Sequence, residues 1–100
     1  IRTVTRRYKG VIRSYDVVNE AIDHGSNAPI ETSMSRAMGS PEAVLDLAFH
    51  TARAELPTEQ LVYNDYMSWE PQHQRHCADV LRLLEGFRKR GTPVDALGIQ

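Results

Sequence analysis

The segment Tyr15-Asp16-Val17-Val18-Asn19-Glu20-Ala21 sets an amide beside a carboxyl group at the end of an apolar run. A carboxyl group can give and take a proton, and a neighbouring amide can hold a polar ligand by hydrogen bonds. If the run is a strand of a parallel sheet, Asn19 and Glu20 lie at its end, where sites on such sheets are built. Strict alternation along a strand points two neighbours to opposite faces, so both serve one site only if the backbone leaves regular strand geometry there. The plain alternative is that they open a solvated loop, and for an isolated Asn-Glu pair that is the commoner case.

Other chemistry-bearing groups are weaker candidates. His73, His76 and Cys77 have helical spacing, but Cys77 begins an apolar stripe, and surface histidines beside a buried thiol explain the group better than a metal site. Asp23-His24 falls in a loop soon after Glu20 and has at most a supporting role. Gly25 and Gly39 form neither G-x-G-x-x-G nor a P-loop, so a nucleotide-binding α/β domain lacks its fingerprint. Arg6, Arg7 and Lys9 suit the C-terminal end of a helix, where the dipole favours cations.

The elements that must position these residues alternate in type. Residues 1–9 read as a helix end with Gly10 just past it, and a strand is expected at about 11–18. From Asp23 to Ser40, Gly25, Ser26, Asn27, Pro29 and Gly39 indicate a long loop holding one helical turn. Ser40-Pro41 marks a helix start, and Val44, Leu45, Ala48, Ala52 and Leu56 give that helix a buried face before Pro57 stops it. Gln60–Asp65 reads as a strand. Pro71 opens a second long helix with the stripe Cys77, Val80, Leu81, Leu84 and Phe87, ended by Gly91 and Pro93. Val94, Ala96, Leu97 and Ile99 read as a third strand. Strands separated by helical crossovers specify an α/β fold of βα units on a parallel sheet.

Composition sets the bounds. One hundred residues suffice for one small domain. With 12 Lys+Arg against 13 Asp+Glu, the chain lacks the basic surface that nucleic-acid binding needs. No apolar run approaches the roughly 18 residues of a membrane helix, and the first residues do not form a signal peptide. The single Cys77 offers neither an internal disulfide nor a second thiol for zinc. The chain starts at Ile1 and stops at Gln100 inside an apolar stretch, so both ends are expected to be cuts in a longer protein.

Tyr15–Ala21 resembles W-D-V-V-N-E-A, the phrase at the end of the fourth barrel strand in glycoside hydrolase family 10, the retaining endo-β-1,4-xylanases. Arg7-Tyr8-Lys9-Gly10 precedes it at the family's spacing, and Ala48-Phe49, Ala52-Arg53, Asn64-Asp65-Tyr66 and the segment Arg90 to Gln100 continue the likeness over essentially the whole chain. The resemblance implies a fragment of a (β/α)8 TIM barrel, with residues 1–100 supplying the fourth to sixth βα units. It makes Glu20 the general acid/base and Asn19 a substrate-binding residue at the sugar 2-hydroxyl. Tyr66, on the leaving-group side, and Gln100, at a strand end, are further substrate-binding residues, while Asp16, Asn64 and Asp65 support the strand ends. It implies no metal and no cofactor, a substrate of xylan or xylo-oligosaccharides, the remaining barrel segments as partners, and a secreted or periplasmic setting.

Two departures bear on the leaving-group side. Tyr15 stands where the family usually has Trp, and Met67-Ser68-Trp69-Glu70 replaces Asn-Ile-Glu. Trp69 is expected to pack its loop against the next helix, with sugar stacking as the alternative. Retaining hydrolysis also needs a second carboxylate about 5–5.5 Å from the first. The family carries it on the seventh strand, beyond this chain, so the nucleophile is absent and the piece alone is expected to be inert. The competing expectation is a catalytically incomplete carbohydrate-binding or scaffold fragment of the same fold.

Overall fold

A computed structural model describes residues 1–100. Its elements run α1 (Arg2–Tyr8), β1 (Ser14–Asn19), α2 (Ser33–Met38), α3 (Pro41–Glu55), β2 (Gln60–Asp65), α4 (Gln74–Arg90) and β3 (Ala96–Ile99), with a 3-10 turn at Pro71–His73 before α4. The helix ends follow from local chemistry. Ser40 Oγ accepts from Ala43 N at 3.1 Å and Pro41 occupies the first turn of α3, so the free amide is capped where proline needs no bond. Thr32 and Ser35 bond reciprocally at the start of α2, and Gly91, at φ 71°, takes the left-handed position that ends α4.

The strands form one parallel sheet in the order β1-β2-β3, with α3 and α4 as crossovers. Ser14 pairs with Gln60, Asn19 with Asn64, and Asn64 with Gly98, which brings the C-terminal ends of all three strands side by side. The register shifts between Asp16 and Val18, an irregularity just before the C-terminal end of β1.

Helices cover one face of the sheet. The core there joins Phe49, Ala52 and Leu56 of the α3 segment and Val80, Leu83 and Phe87 of α4 to Leu61 and Tyr63 of β2 and to Ala21 and Ile22. Phe49 meets Phe87 edge-on at 5.4 Å, the favourable geometry for two ring quadrupoles. Polar clamps fix the crossovers at the opposite end from the candidate site. Arg53 donates to the carbonyls of Leu56 and Glu59 and pairs with Asp95, whose Oδ2 also accepts Leu61 N at 2.8 Å. Arg90 and Thr92 bond Asp46, tying the end of α4 to α3.

Several expectations need correction. The first strand begins at Ser14, because Val11 and Ile12 lie in a turn after α1 and are exposed. The loop after β1 carries the six-residue α2, and Ile22 and Pro29 form an antiparallel bridge within it. Pro71 opens the 3-10 turn, and α4 itself starts at Gln74. The buried stripe of α4 is His76, Asp79, Val80, Leu83 and Phe87, whereas Leu81 is 54% exposed. Cys77 is half-buried, its Sγ bonded to the Ser68 carbonyl at 3.3 Å. No helix is long and apolar enough to cross a membrane.

Candidate active site

Glu20 follows the last residue of β1 and adopts φ +48°, a left-handed conformation that costs a non-glycine residue about 1 kcal/mol or more. Its amide still holds the ladder, donating to Asn64 O at 2.9 Å. The chain thus leaves regular strand geometry at the residue where one shared site required it. Gln100 Nε2 donates to Glu20 Oε1, and Asn64 Nδ2 donates to Asn19 Oδ1 at 2.7 Å and lies 3.4 Å from Gln100 Oε1. Four side chains from the ends of three strands therefore form one hydrogen-bonded row. Gly98 makes room for it, since a Cβ there would collide with Asn64 Oδ1 and stand 3.1 Å from Val62 Cγ1.

Below that row lies a buried polar network. The Asp65 carboxylate accepts Tyr66 N at 2.8 Å and His76 Nε2 at 3.0 Å on Oδ1, and the Tyr63 hydroxyl on Oδ2. Three donors satisfy a fully buried anion that would otherwise be costly. Tyr63 Oη in turn accepts Ala21 N at 3.1 Å, linking this network to the residue after Glu20. Burial, and then the bond to Asp65, push the Tyr63 hydroxyl far above its usual range, so it stays a donor.

Tyr66 stands at the rim. Its ring stacks flat on His76, with centroids 4.0 Å apart and planes 2° from parallel, and its hydroxyl lies 2.7 Å from His24 Nδ1. Local desolvation, then the negative charges of Asp65 and Glu20, raise the Tyr66 hydroxyl above its ordinary 10.0, which keeps it protonated at neutral pH.

Of the residues proposed from the sequence, Asn19, Glu20, Asn64 and Gln100 share one network, and Asp65 and Tyr66 share the adjoining one. Asp16 is exposed and outside both. His76 is not a surface residue: its ring is buried, with Nε2 on Asp65 and one face on Tyr66, while Nδ1 is buried without a partner. Sequence reasoning set His76 aside as a surface histidine and gave His24 at most a supporting role. The available signal was position, since His24 lies four residues past Glu20 and His76 starts the true buried stripe of α4. Trp69 does not pack against the helix; it is 95% exposed, because the loop is held instead by Cys77 Sγ on the Ser68 carbonyl and by Glu70 N on Ser68 Oγ at 3.2 Å. A cavity of about 210 Å³ adjoins Asn19 and Glu20, lined also by Val18, Ile30, Thr32 and Ser35.

Comparison with known proteins gives the arrangement its relatives. Endo-1,4-beta-xylanase C of Paenibacillus barcinonensis is 34% identical over 109 positions, covering 100% of this chain and 10% of its own length. Endo-1,4-beta-xylanase A of Caldicellulosiruptor saccharolyticus is 37% identical, and the chain spans 28% of it. Among solved structures, Xyn10A of Cellvibrio japonicus, as a thermostable mutant, superposes with a TM-score of 0.83 at 30% identity over 99% of this chain and 30% of that one. Xylanase 10B of Thermotoga petrophila, in complex with xylobiose, superposes with a TM-score of 0.82 at 27% identity, over 99% and 29%. The three strands and their helices thus correspond to about 30% of these barrel structures. The model of Glycosyl hydrolase family 10 matches residues 1–100, and the chain belongs to that family.

Proposed function

We propose that residues 1–100 supply the fourth to sixth βα units of a retaining endo-1,4-β-xylanase, with Glu20 as its general acid/base. The observation that carries the reading is the row Asn19, Glu20, Asn64 and Gln100 at the C-terminal ends of three parallel strands, where barrel enzymes do their chemistry. Gln100 occupies Glu20 Oε1 with an N–H donor, which leaves Oε2 to carry the transferable proton. In the first step that proton passes to the leaving glycosidic oxygen; in the second, the same carboxylate takes a proton from the attacking water. Asn64 occupies Asn19 Oδ1, so the Asn19 amide presents Nδ2–H as donor, the polarity needed to hold a sugar 2-hydroxyl oxygen.

The nucleophile is not in this chain. Glu20 is the one carboxylate of the row, and double displacement needs a second about 5–5.5 Å away, expected from a later barrel strand. The complete protein would act on xylan or xylo-oligosaccharides, a polymeric substrate met in a secreted or periplasmic setting. Xylobiose bound to the Thermotoga petrophila relative supports that substrate class. Trp69, exposed on the loop after Tyr66, offers a flat apolar face on the same side.

The test is reducing-sugar release from xylan by the complete protein and by its Glu20→Ala variant. Release that depends on Glu20 supports the reading. A folded complete protein that binds xylan and releases nothing would favour the carbohydrate-binding or scaffold alternative.

A further inference from the structure

We infer that His76 and His24 are positioning residues for Tyr66, and that through it they set affinity for sugar units on the leaving-group side of the cleft. The inference rests on the xylanase reading above and adds two residues to it. His76 comes from α4, His24 from the loop after β1, and Tyr66 from the end of β2, so three separate elements converge on one phenol ring.

A tyrosine on a strand-end loop is ordinarily free in two respects: the tilt of its ring and the direction of its hydroxyl. Here both are fixed. The buried His76 ring lies flat against Tyr66 at 4.0 Å, and it cannot rotate, because Nε2 is bonded to Asp65 Oδ1 at 3.0 Å. Asp65 also accepts the Tyr66 backbone amide at 2.8 Å, so one buried carboxylate fixes both the backbone that carries the ring and the imidazole it rests on. An acceptor at Nε2 selects the tautomer with its proton there, as oriented histidines in functional sites do. The other degree of freedom is taken by His24, whose Nδ1 sits 2.7 Å from the Tyr66 hydroxyl. His24 is itself stacked loosely on both Tyr66 and His76, at 5.2 and 5.5 Å, so it joins the β1 loop to the same assembly. Structural support alone does not account for His24, which is exposed and is not a member of the apolar core.

The ring is carried close to the candidate acid, since Tyr66 lies two residues past Asn64, whose carbonyl accepts the Glu20 amide at 2.9 Å. A misplaced ring would therefore disturb a sugar leaving Glu20, while a substrate with no sugar on that side would not sense it.

The experiment uses the complete protein with His76→Ala, His76→Gln and His24→Ala, assayed on xylo-oligosaccharides and on an aryl β-xylobioside whose leaving group is a nitrophenol. His76→Ala and His24→Ala are expected to lower kcat/KM on oligosaccharides about tenfold, mainly through KM, and on the aryl substrate less than twofold. His76→Gln, which keeps a donor toward Asp65, is expected to recover part of the loss. Equal losses on both substrates would show a structural role only and overturn the inference, as would no loss on either at unchanged Tm. A folded wild-type protein inactive on both substrates would overturn the xylanase reading and the inference with it, an outcome distinct from an active enzyme indifferent to these histidines.

Discussion

Asn64 Nδ2 donates to Asn19 Oδ1 at 2.7 Å, so an amide on the middle strand decides which edge of its neighbour's amide faces the cleft. The polarity of the candidate substrate contact is therefore set one strand away from the residue that makes it.

Replacing Asn64 tests that relationship. Asn64→Asp keeps size and loses the donor, so two acceptor oxygens would face each other and Asn19 would turn its amide round. Activity of the complete protein on xylan is expected to fall about tenfold or more, from loss of one hydrogen bond to the sugar. Asn64→Ala, which merely releases Asn19, is expected to cost less. An Asn64→Asp enzyme with wild-type kcat/KM would show that Asn19 is oriented by something else.

Gly98 is required for a steric reason. A methyl group there would meet Asn64 Oδ1 and crowd Val62 Cγ1 at 3.1 Å, and neither belongs to the far end of a long flexible side chain. Gly98→Ala is expected to destabilise by about 1–3 kcal/mol, the usual cost of overpacking, and to reduce activity by moving Asn64. Urea unfolding and xylan turnover check the two effects separately. Unchanged values for both would mean that the strand end is softer than its packing implies.

The Asp46 clamp gives a pH dependence with a definite sign. Burial pushes its carboxyl up, but hydrogen bonds from Arg90 and Thr92, with the Arg90 charge, outweigh that and hold it below its ordinary 3.8. A depressed folded value adds stability above the unfolded value, and that stability is lost as pH falls from 3.8 through the lower folded value. Asp46→Asn is expected to be about 1 kcal/mol less stable at neutral pH and to converge with wild type at strongly acid pH. Denaturant midpoints measured over that range check it; parallel curves would contradict it.

Much of the fold was legible because its punctuation is strong. Ser40-Pro41 and Pro57 bound α3, and the apolar run between Glu59 and Tyr66 yielded β2 with its observed limits. The family resemblance led to all four residues of the row, Asn19 and Glu20 through the phrase at 15–21, Asn64 through Asn64-Asp65-Tyr66, and Gln100 through the segment from Arg90. What stayed hidden is physical in origin. The buried stripe of α4 begins with His76 and Asp79, polar residues whose burial depends on partners elsewhere in the fold, so the apolar pattern slid to Leu81. The shift at Asp16/Val18 and the left-handed Glu20 leave no mark in composition, and only the demand for a shared site anticipated the latter. Large aromatic residues usually bury, which favours packing for Trp69; its loop is tied down instead by polar contacts and leaves the ring in solvent.

The central claim is that Glu20 protonates the leaving oxygen, and the most direct measurement is the leaving-group dependence of Glu20→Ala in the complete protein. The loss in kcat/KM on xylan is expected to be about 10²–10⁴-fold, and much smaller on an aryl glycoside whose phenolate leaves with little protonation. An equal loss on both substrates, or none on either, would contradict the assignment.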